Sequence, residues 1–324
     1  MELVLVAPGL LALAPEALGR DRTLSRIAGA AEAVVVDDID QALLGILDAG
    51  AASAPFAALG AGIDPAGRFL IRADPVTMRV THDDVRIAAR VDDLDACESA
   101  TLVTLLDAHF AAEGLDFHAP RGDAWFAASA TMHEIATTPL DAALGQPLRP
   151  CLPTGAGAAR WRRWLTEAQM LLHEHPLGAR AHPVNGLWFS GGGALPLPSG
   201  THSTQGGTRV VAVPGRDGDV ARCLARLGGR DADTWRDLEG AIAAAADAAR
   251  LVIVLPRRDG SAASQGAGAC LSTAWSALER GTIERLDLVA DGRGVAATWS
   301  MARPSFWRRI APRAARFASP ERGR

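Results

Sequence analysis

Histidine is the side chain whose distribution first suggests chemistry in this sequence. All eight histidines lie between His82 and His202, and two stand close together in the segment His173-Glu174-His175-Pro176. Zinc ligands on a helix are usually four residues apart, as in HExxH, and that motif is absent. The two-residue spacing therefore argues against a metal site. A role for His173 at the negative end of a helix dipole suits it better.

A second group of residues has the types that bind a phosphate or a carboxylate. Arginine donates paired hydrogen bonds to either anion, asparagine can fix a hydroxyl group, and glycine-rich backbone can approach an anion closely. The predicted ligand-binding residues are Arg72, Asp74, His173, His175, Arg180, Asn185, Trp188, Gly191, Gly192 and Gly193. The alternative is structural: an ion pair at Arg72, a turn at Asn185, and a glycine run that only satisfies backbone geometry.

Residue types that are absent exclude several enzyme mechanisms. The chain has no lysine and no tyrosine, so it can form no lysine Schiff base, no P-loop and no tyrosine nucleophile. The GxSxG nucleophile elbow is also absent. Ser190 has His182 and His202 near it in sequence, but nothing specifies a catalytic triad.

Length and charge set the broad class. The 324 residues can form one large α/β domain or two modest ones, and the net charge of −4 gives no general attraction for nucleic acid or an anionic membrane. No apolar run approaches the roughly 20 residues of a membrane helix. Glu2 replaces the basic start of a signal peptide, so the first residues fit a strand. Four separated cysteines without a CxxC motif indicate reduced thiols, and we expect a cytoplasmic protein.

The elements that would position these residues alternate between strands and helices. The clearest helix spans 160–174 and has an apolar stripe formed by Trp161, Trp164, Leu165, Ala168, Leu171 and Leu172. Arg162, Thr166, Gln169 and His173 share a neighbouring face. We predict a helix from Asp95 to Phe110, with Asp95 and Glu98 as a capping box.

The strands are predicted from short apolar runs. The run 68–72 reads as a strand stopped by Asp74-Pro75, because the residue before proline avoids the helical region. Residues 78–91 read as a hairpin turning at His82-Asp83-Asp84. The run 251–255 suits a strand buried on both faces.

The last third completes the predicted α/β pattern. It contains a strand at 208–213, helices at 219–227, 233–250 and 272–280, and a closing hairpin at 286–299. This order favours an α/β fold with a largely parallel sheet flanked by helices. The tail 304–324 is basic, with Phe306 and Trp307 among its arginines, and is predicted to be solvated.

Three segments resemble a known family. ADPV at 73–76, QMLLHEHP at 169–176 and HPVNGLWFSGGGALP at 182–196 are similar to proteobacterial regulatory proteins of the RpfE type. Some members of that family are described as cofactor-independent phosphoglycerate mutases. The likeness covers most of the chain, from about Phe56 to Trp299. Those relatives tend to have ADPVHL, NEIQMLL and a second HPVN where this chain has Thr77-Met78, 166–168 and 175–178.

The chain also resembles, more distantly, the archaeal-type cofactor-independent phosphoglycerate mutases of the alkaline phosphatase superfamily. That resemblance implies one α/β domain over 1–324 with an inserted α+β lobe over 65–150. It also implies two divalent metals, Mn²⁺ or Zn²⁺, that polarise a phosphate and activate a serine. The first strand ends at 6–9 without an acid, and no histidine follows His202. The metal ligands of that family are therefore not evident, and we expect no metal or other cofactor.

These observations favour a non-catalytic or regulatory relative, a pseudoenzyme, that binds a small phosphorylated or carboxylate metabolite. One alternative is an active phosphoglycerate mutase, an isomerase, or a phosphohydrolase with rearranged metal ligands. Its ligands would come from Asp37, Asp38 and Asp40, or from 82–84. Another alternative is a scaffold that binds a protein partner through the tail 304–324.

Overall fold

The structure is a computed structural model. It describes residues 1–12, 22–36, 38–46, 52–82, 84–175, 183–195, 207–212, 216–227, 232–234, 236–257, 261–292 and 295–303. The chain divides into two compact units. The outer unit consists of Met1–Ala49 and Gly200–Arg324, and the inserted unit is Gly50–Ser199. The predicted lobe over 65–150 falls inside the inserted unit, and its bounds stay a prediction.

Helices and strands alternate along much of the chain. In order they are β1 (Glu2–Ala7), α1 (Arg22–Ala30), β2 (Val34–Val36), α2 (Ile39–Ile46), α3 (Ser53–Ala61), β3 (Phe69–Val80), β4 (Val85–Arg90), α4 (Ala96–Phe110), β5 (Leu115–Arg121), β6 (Ala124–Ser129), α5 (Leu140–Ala143), α6 (Leu148–Cys151), α7 (Ala158–His173), β7 (Gly186–Ala194), β8 (Thr208–Ala212), α8 (Asp219–Leu227), α9 (Leu238–Ala244), β9 (Arg250–Val254), α10 (Ser261–Arg280), β10 (Arg285–Gly292) and β11 (Val295–Ala302). The predicted α/β class is confirmed by this order.

The outer unit is built on a mostly parallel sheet with the strand order β2-β11-β10-β1-β9-β8. Strand β1 lies at its centre and pairs in parallel with both β9 and β10, and β8 continues the parallel part beyond β9. Strands β11 and β2 add an antiparallel side. Four neighbouring strands therefore end at one carboxyl edge.

Apolar residues on both faces explain why β1 is central. Leu3, Val4, Leu5 and Val6 are all fully buried, as expected for a parallel strand covered on two sides. At the amino edge, Arg250 donates from Nη2 to Oε2 of Glu2 over 2.7 Å. This ion pair joins the starts of β9 and β1, whose residues 250 and 2 are register partners.

The inserted unit has a different sheet. Its strands run in the order β4-β3-β6-β5, with β7 also paired to β3, and every one of these pairs is antiparallel. A largely parallel sheet is therefore a property of the outer unit only. The antiparallel strands of 69–129 fall within the region predicted as an inserted α+β lobe, for which the sequence analysis gave no sheet type.

Aromatic rings form the centre of the core in the inserted unit. Trp161 and Trp164 on α7 are fully buried with ring centroids 4.8 Å apart, and Phe189 on β7 lies 5.0 Å from Trp161. The His133 ring stands edge-on to Trp161 at 5.3 Å and to Phe69 at 5.0 Å. The predicted apolar stripe of this helix is confirmed as core.

Strand β3 corrects one prediction. It does not stop at Asp74-Pro75 but runs from Phe69 to Val80. The carbonyl of Pro75 accepts from the N–H of Val91, so the nitrogen of Pro75, which has no hydrogen to donate, faces that same side of β3. The ladder with β6 lies on this side and has already ended at Arg72. The β7 side therefore loses no hydrogen bond at the proline, and the strand continues.

The predicted helix over 233–250 is also wrong. Only Leu238–Ala244 is helical, and Asp237 caps its start by accepting from the N–H of Gly240 over 2.6 Å. Residue 250 already belongs to β9. Alanine has high helix propensity, but residues 245–249 are not helical and lead into β9. The helix predicted over 272–280 begins at Ser261 instead.

Two local predictions are confirmed. They are the capping box of Asp95 and Glu98 at the start of α4 and the closing hairpin of β10 and β11. The tail 304–324 lies outside the described residues, so its role as a solvated or partner-binding segment stays a prediction. None of the described helices is both long enough and apolar enough to cross a membrane.

Candidate functional site

Arg72 and Asp74 lie two residues apart on β3 and are both almost completely buried. The Cζ atom of Arg72 is 5.6 Å from the centre of the Phe126 ring, a cation–π contact. Residues two apart on a strand share one face, so both side chains face the same side of the sheet. Ligand binding by this pair stays a prediction.

Asn185 pairs its side-chain amide with the backbone of Met78. Its Oδ1 accepts from the N–H of Met78 over 2.6 Å, and its Nδ2 donates to the Met78 carbonyl over 2.9 Å. The ladder between β3 and β4 has its bulge between Thr77 and Met78. The side-chain amide of Asn185 therefore continues the pairing along β3 just beyond the end of its ladder with β7. Its oxygen and its nitrogen both have hydrogen-bond partners.

Trp188 and Gly191 use their N–H groups within the inserted unit. Trp188 donates from Nε1 to the carbonyl of Thr138 over 2.8 Å, and Gly191 donates to Oγ1 of Thr137 over 3.0 Å. These bonds hold the loop 137–138 against β7. Neither N–H group points towards a free anion position in this geometry.

The three glycines are explained by close packing. A Cβ atom on Gly191 would come within 2.4 Å of Ser53 Oγ, and one on Gly193 within 2.3 Å of Ala52 Cβ. A Cβ on Gly192 would meet the ring of Phe69 at 2.6 Å. The start of α3 and strand β3 thus occupy the space that side chains would need. The structural interpretation of the glycine run accounts for all three positions.

Three members of the predicted set follow the apolar stripe of α7 in sequence. His173 is the exposed last residue of α7, and His175 is half-buried two residues beyond it. Arg180 and His182 lie outside the described residues. Of the ten predicted residues, the described part of the chain brings together Arg72, Asp74, Asn185, Trp188 and the three glycines along the paired strands β3 and β7.

A group of charged residues at the carboxyl edge of the outer sheet was not predicted. Arg257 follows β9 and donates to two carboxylates: from Nη2 to Asp291 Oδ2 over 2.8 Å, and from Nε to Asp217 Oδ2 over 3.1 Å. The other carboxylate oxygen of Asp291 accepts from the N–H of Gly9 over 2.6 Å. We call Gly9, Asp217, Arg257 and Asp291 the edge network.

The edge network joins the ends of three parallel strands and the turn after a fourth. Gly9 follows β1, Asp291 is at the end of β10, and Asp217 is in the 3-10 turn that follows β8. Asp291 is almost fully buried, whereas a quarter of the Arg257 side chain is exposed. Next to Asp217 in sequence, the fully buried Asp219 accepts from Arg222 one turn along α8.

The carboxylates of the edge network do not fit a divalent metal. A two-metal site requires several carboxylate or imidazole ligands that converge on the ions. Here Asp217 and Asp291 converge on a guanidinium, which stays protonated at any physiological pH. Among the described residues, no group of three histidine, cysteine or acidic side chains could hold a metal ion.

The structure describes some of the alternative metal ligands that the sequence predicts at 37–40 and 82–84. Asp38 precedes α2 and accepts from the N–H of Gln41 over 2.6 Å, which is a helix cap. Asp84 accepts from the N–H of Val85 and closes the turn between β3 and β4. Asp37 and Asp83 lie outside the described residues. Metal binding by either group stays a prediction.

The sequence carries only local signals at the edge network. Asp291-Gly292 is a dipeptide typical of turns, and Arg257 follows the apolar run 251–255. Only the strand order shows that residues 9, 217, 257 and 291 meet, because β1 lies between strands that are about 250 and 280 residues away in the chain.

Comparison with known proteins gives weak likenesses. No family model matches the chain, and no curated protein matches it in sequence. A cofactor-independent phosphoglycerate mutase from Thermoplasma acidophilum is 14% identical with a TM-score of 0.43, over 94% of this chain and 90% of the other. The PH0037 protein from Pyrococcus horikoshii is 14% identical with a TM-score of 0.48, over 93% and 87%. No conclusion is drawn from similarities this low.

Proposed function

We propose that the protein is a non-catalytic relative of the cofactor-independent phosphoglycerate mutases that binds a small phosphorylated or carboxylate metabolite without a metal ion. The observation that carries the non-catalytic part is the position of Arg257, whose guanidinium bridges Asp217 and Asp291 at the carboxyl edge of the outer sheet. In open α/β sheets this edge is where ligands and catalytic groups are usually placed.

The bridge favours an ion pair over a metal centre for two physical reasons. The guanidinium carries the positive charge that the two carboxylates need, so a metal ion would have to displace it and leave a cation nearby. Asp291 is also held by the N–H of Gly9, which fixes its orientation. An enzyme that used Asp217 and Asp291 as metal ligands would therefore have to open this network before it could bind a metal.

The edge network does not favour an anionic ligand at the same place. One guanidinium and two carboxylates have a net charge of −1, which repels a phosphate. The proposed ligand region is therefore the predicted set along β3 and β7, where Arg72 is the described cation. Arg180 belongs to the same predicted set but lies outside the described residues, so its contribution is part of the proposal. The resemblance of 73–76 and 182–196 to the RpfE-type regulatory proteins supports this location and a regulatory role in the cytoplasm.

The test is a thermal-shift screen of the purified chain against 3-phosphoglycerate and 2-phosphoglycerate, with and without Mn²⁺. A ligand at 100 times its Kd adds about 2.7 kcal/mol to the free energy of unfolding, which is readily measured. We expect a shift that is independent of Mn²⁺ and no interconversion of the two acids. Arg180→Ala should abolish the shift. The control is Arg163→Ala, at an exposed arginine on α7, which should leave the shift unchanged.

Other outcomes would contradict the proposal. Turnover that requires Mn²⁺, or stoichiometric Mn²⁺ or Zn²⁺ in the purified protein, would establish the enzyme alternative. The absence of any shift would remove the anionic ligand and leave the protein partner of the tail 304–324 as the next hypothesis to test.

A further inference from the structure

The two edges of the outer sheet differ in what lies beyond them. At one edge, the outer side of β8 is occupied: the N–H of Ala212 donates to the carbonyl of Asp233 over 3.0 Å, and the N–H of Asp233 donates to the carbonyl of Val210 over 2.9 Å. At the other edge, β2 pairs with β11 on its inner side, and no further strand of the described residues pairs with its outer side. Within the described sheet, the β2 edge is therefore open.

Strand β2 exposes apolar side chains on both of its faces. It consists of Val34, Val35 and Val36, and successive residues of a strand point to opposite faces of the sheet. Val34 is 60% exposed and Val35 is 40% exposed. Among the described residues of the outer unit, these two are the large hydrophobic side chains that are exposed. An apolar edge strand of this kind is a place where another strand can add to the sheet.

Acidic residues on both sides of β2 define the charge that its partner should have. Glu32 is exposed two residues before the strand, and three aspartates lie within 37–40 directly after it. The sequence has no basic residue between 27 and 67. Two copies of β2 paired in antiparallel direction about Val35 would place Glu32 of one copy beside Asp38 of the other. A basic segment therefore fits this edge better than a second copy does.

The tail 304–324 has the charge and the residue types that this edge requires. It contains six arginines and one glutamate, so its side chains have a net charge of +5. Residues 305–311, which we call the tail segment, read Ser-Phe-Trp-Arg-Arg-Ile-Ala and lie between Pro304 and Pro312. The tail segment has no proline or glycine, and its phenylalanine, tryptophan and isoleucine favour strands.

The side chains of the tail segment match the two exposed faces of β2. In an extended chain, Phe306 and Ile310 lie on one face and Trp307 lies on the other. Val34 and Val35 also lie on opposite faces, so the tail segment has an apolar side chain for each of them. Cross-strand pairs of an aromatic and a β-branched side chain are among those that stabilise a sheet.

The tail starts close enough to reach the open edge. Strand β11 ends at Ala302, and its Thr298 is the register partner of Val34, so the end of β11 lies four residues beyond the level of Val34. A path to the outer side of β2 also crosses two strand spacings. The direct distance is about 17 Å, which about five extended residues span. Trp307 is therefore the first residue that can lie beside Val34.

We propose that the tail segment adds to the outer side of β2 in the same molecule and extends the six-stranded outer sheet by one strand. It leaves from the amino edge, where β2 also begins, so the added strand runs parallel to β2. Its aromatic side chains cover the exposed valines, and its arginines lie between the acids that flank β2. The contact lies within the outer unit and does not depend on whether the protein binds a phosphorylated acid.

Amide hydrogen exchange in the full chain, labelled with ¹⁵N and followed by NMR, measures this pairing. An edge strand directs only part of its N–H groups at its neighbour, and the others exchange quickly unless a further strand accepts them. We expect Trp307→Ala to accelerate the exchange of the outward N–H groups of 34–36 about fivefold, since it removes one aromatic contact. Phe317→Ala, an aromatic substitution in the tail beyond Pro312, is the control and should leave the exchange unchanged.

Charge reversal tests the electrostatic part of the contact. The double variant Arg308→Glu and Arg309→Glu brings two negative charges next to the acids that flank β2, so the slow exchange should be lost. The double variant Arg313→Glu and Arg316→Glu changes the net charge by the same amount outside the tail segment. We expect this control to exchange like the wild type.

A disulfide bond tests whether the contact is made within one molecule. Val35→Cys combined with Arg308→Cys places two thiols on neighbouring strands, and oxidised glutathione should convert them to a disulfide within the monomer. Val35→Cys combined with Arg316→Cys is the control and should form far less of this bond. Peptide mapping identifies the bond, and non-reducing gel electrophoresis separates monomers from cross-linked dimers.

Three results would overturn the proposal. The first is fast exchange of every outward N–H group of 34–36 in the wild type. The second is an equal effect of the variants in the tail segment and of their controls beyond Pro312. The third is a disulfide that forms only between molecules, which would assign the open edge to the tail of a second copy. None of these results bears on the 3-phosphoglycerate screen, so the two proposals fail separately.

Discussion

The carboxyl edge of the outer unit and the interior of the inserted unit differ in how their polar atoms are satisfied. At the edge, Arg257, Asp217, Asp291 and the N–H of Gly9 bind one another, and the network joins the ends of strands. In the inserted unit, Ser99 Oγ and His118 Nε2 are buried without such bonds to described residues. Paired charges stabilise a fold, whereas unsatisfied polar atoms lower its stability unless a ligand uses them.

This difference teaches where to look for function in the two units. A site with many charged residues attracts attention first, yet in the outer unit those charges are engaged with each other. In the inserted unit, the combination of burial and missing partners at Ser99 and His118 is visible only in the structure.

The largest effect is expected from breaking the edge network. Arg257→Ala leaves the buried carboxylate of Asp291 without its cation, and we expect a loss of about 2–3 kcal/mol in the free energy of unfolding. Urea unfolding followed by circular dichroism measures it. The control in the same unit is Arg26→Ala, whose partner Glu279 is exposed, with an expected loss below about 1 kcal/mol. Equal losses would mean that the network is only a surface ion pair.

A second large effect concerns Asn185, whose amide completes the edge of β3. Asn185→Ala leaves the N–H and carbonyl of Met78 without partners and should cost about 1–3 kcal/mol. Asn185→Asp should cost more, because it places a carboxylate oxygen against the Met78 carbonyl. Denaturant unfolding compares the two. If both variants unfold like the wild type but lose 3-phosphoglycerate binding, the residue is a ligand-binding group and its contacts with Met78 contribute little.

A matched pair of serines compares satisfied with unsatisfied hydroxyl groups. Ser129 is buried, accepts from the N–H of Thr131 over 3.1 Å and contacts His133 Nε2 over 3.2 Å. Ser129→Ala should therefore cost about 1 kcal/mol, whereas Ser99→Ala should be neutral or stabilising. Thermal unfolding without ligand measures both. A similar loss at Ser99 would show that its hydroxyl group is hydrogen-bonded to water in the free protein.

The smallest effect is the pH dependence caused by His118. Its pKa is lowered in the folded state, so the unfolded chain takes up the proton first as the pH falls. Stability from this group is present above the unfolded pKa of about 6.5 and is lost as the pH falls through the lower folded pKa. His118→Gln should flatten the decrease of the urea midpoint in that range.

The NMR titration of the His118 ring provides the direct check. Arg68→Gln removes the second cause of the shift and should raise the pKa of His118 towards its usual value. His133 is expected to titrate low as well, because burial and then Arg160 lower its pKa. A His118 ring that titrates above about 6.5 would contradict the effect of burial on its pKa.

The sequence predicted the elements better than their assembly. Periodicity identified α7 and its buried tryptophans, and the capping box placed the start of α4, because both signals are local. The β3 strand through Pro75 and the short helix α9 were missed, since each depends on neighbours that are distant in sequence. The antiparallel pairing of β3 with β7 joins residues more than 100 positions apart, which no local pattern specifies.

The candidate residues show the same limit. Asn185, Trp188 and the glycines were predicted from their types, and their contacts in the structure are with Met78, Thr138 and the start of α3. A residue type indicates what a side chain can bind, but its neighbours decide what it does bind. The edge network was not predicted because it requires the chain to return to one place from several segments.

The position of β1 also determines the order in which the chain can fold during its synthesis. Its neighbours β9 and β10 begin at residues 250 and 285, so a ribosome must reach residue 250 before this strand can be paired on the first side and residue 285 before it can be paired on the second. The sheet of the inserted unit is complete at residue 194 and can form much earlier. During that interval the apolar segment Leu3–Val6 has no sheet partner, and unpaired apolar segments of this kind favour aggregation.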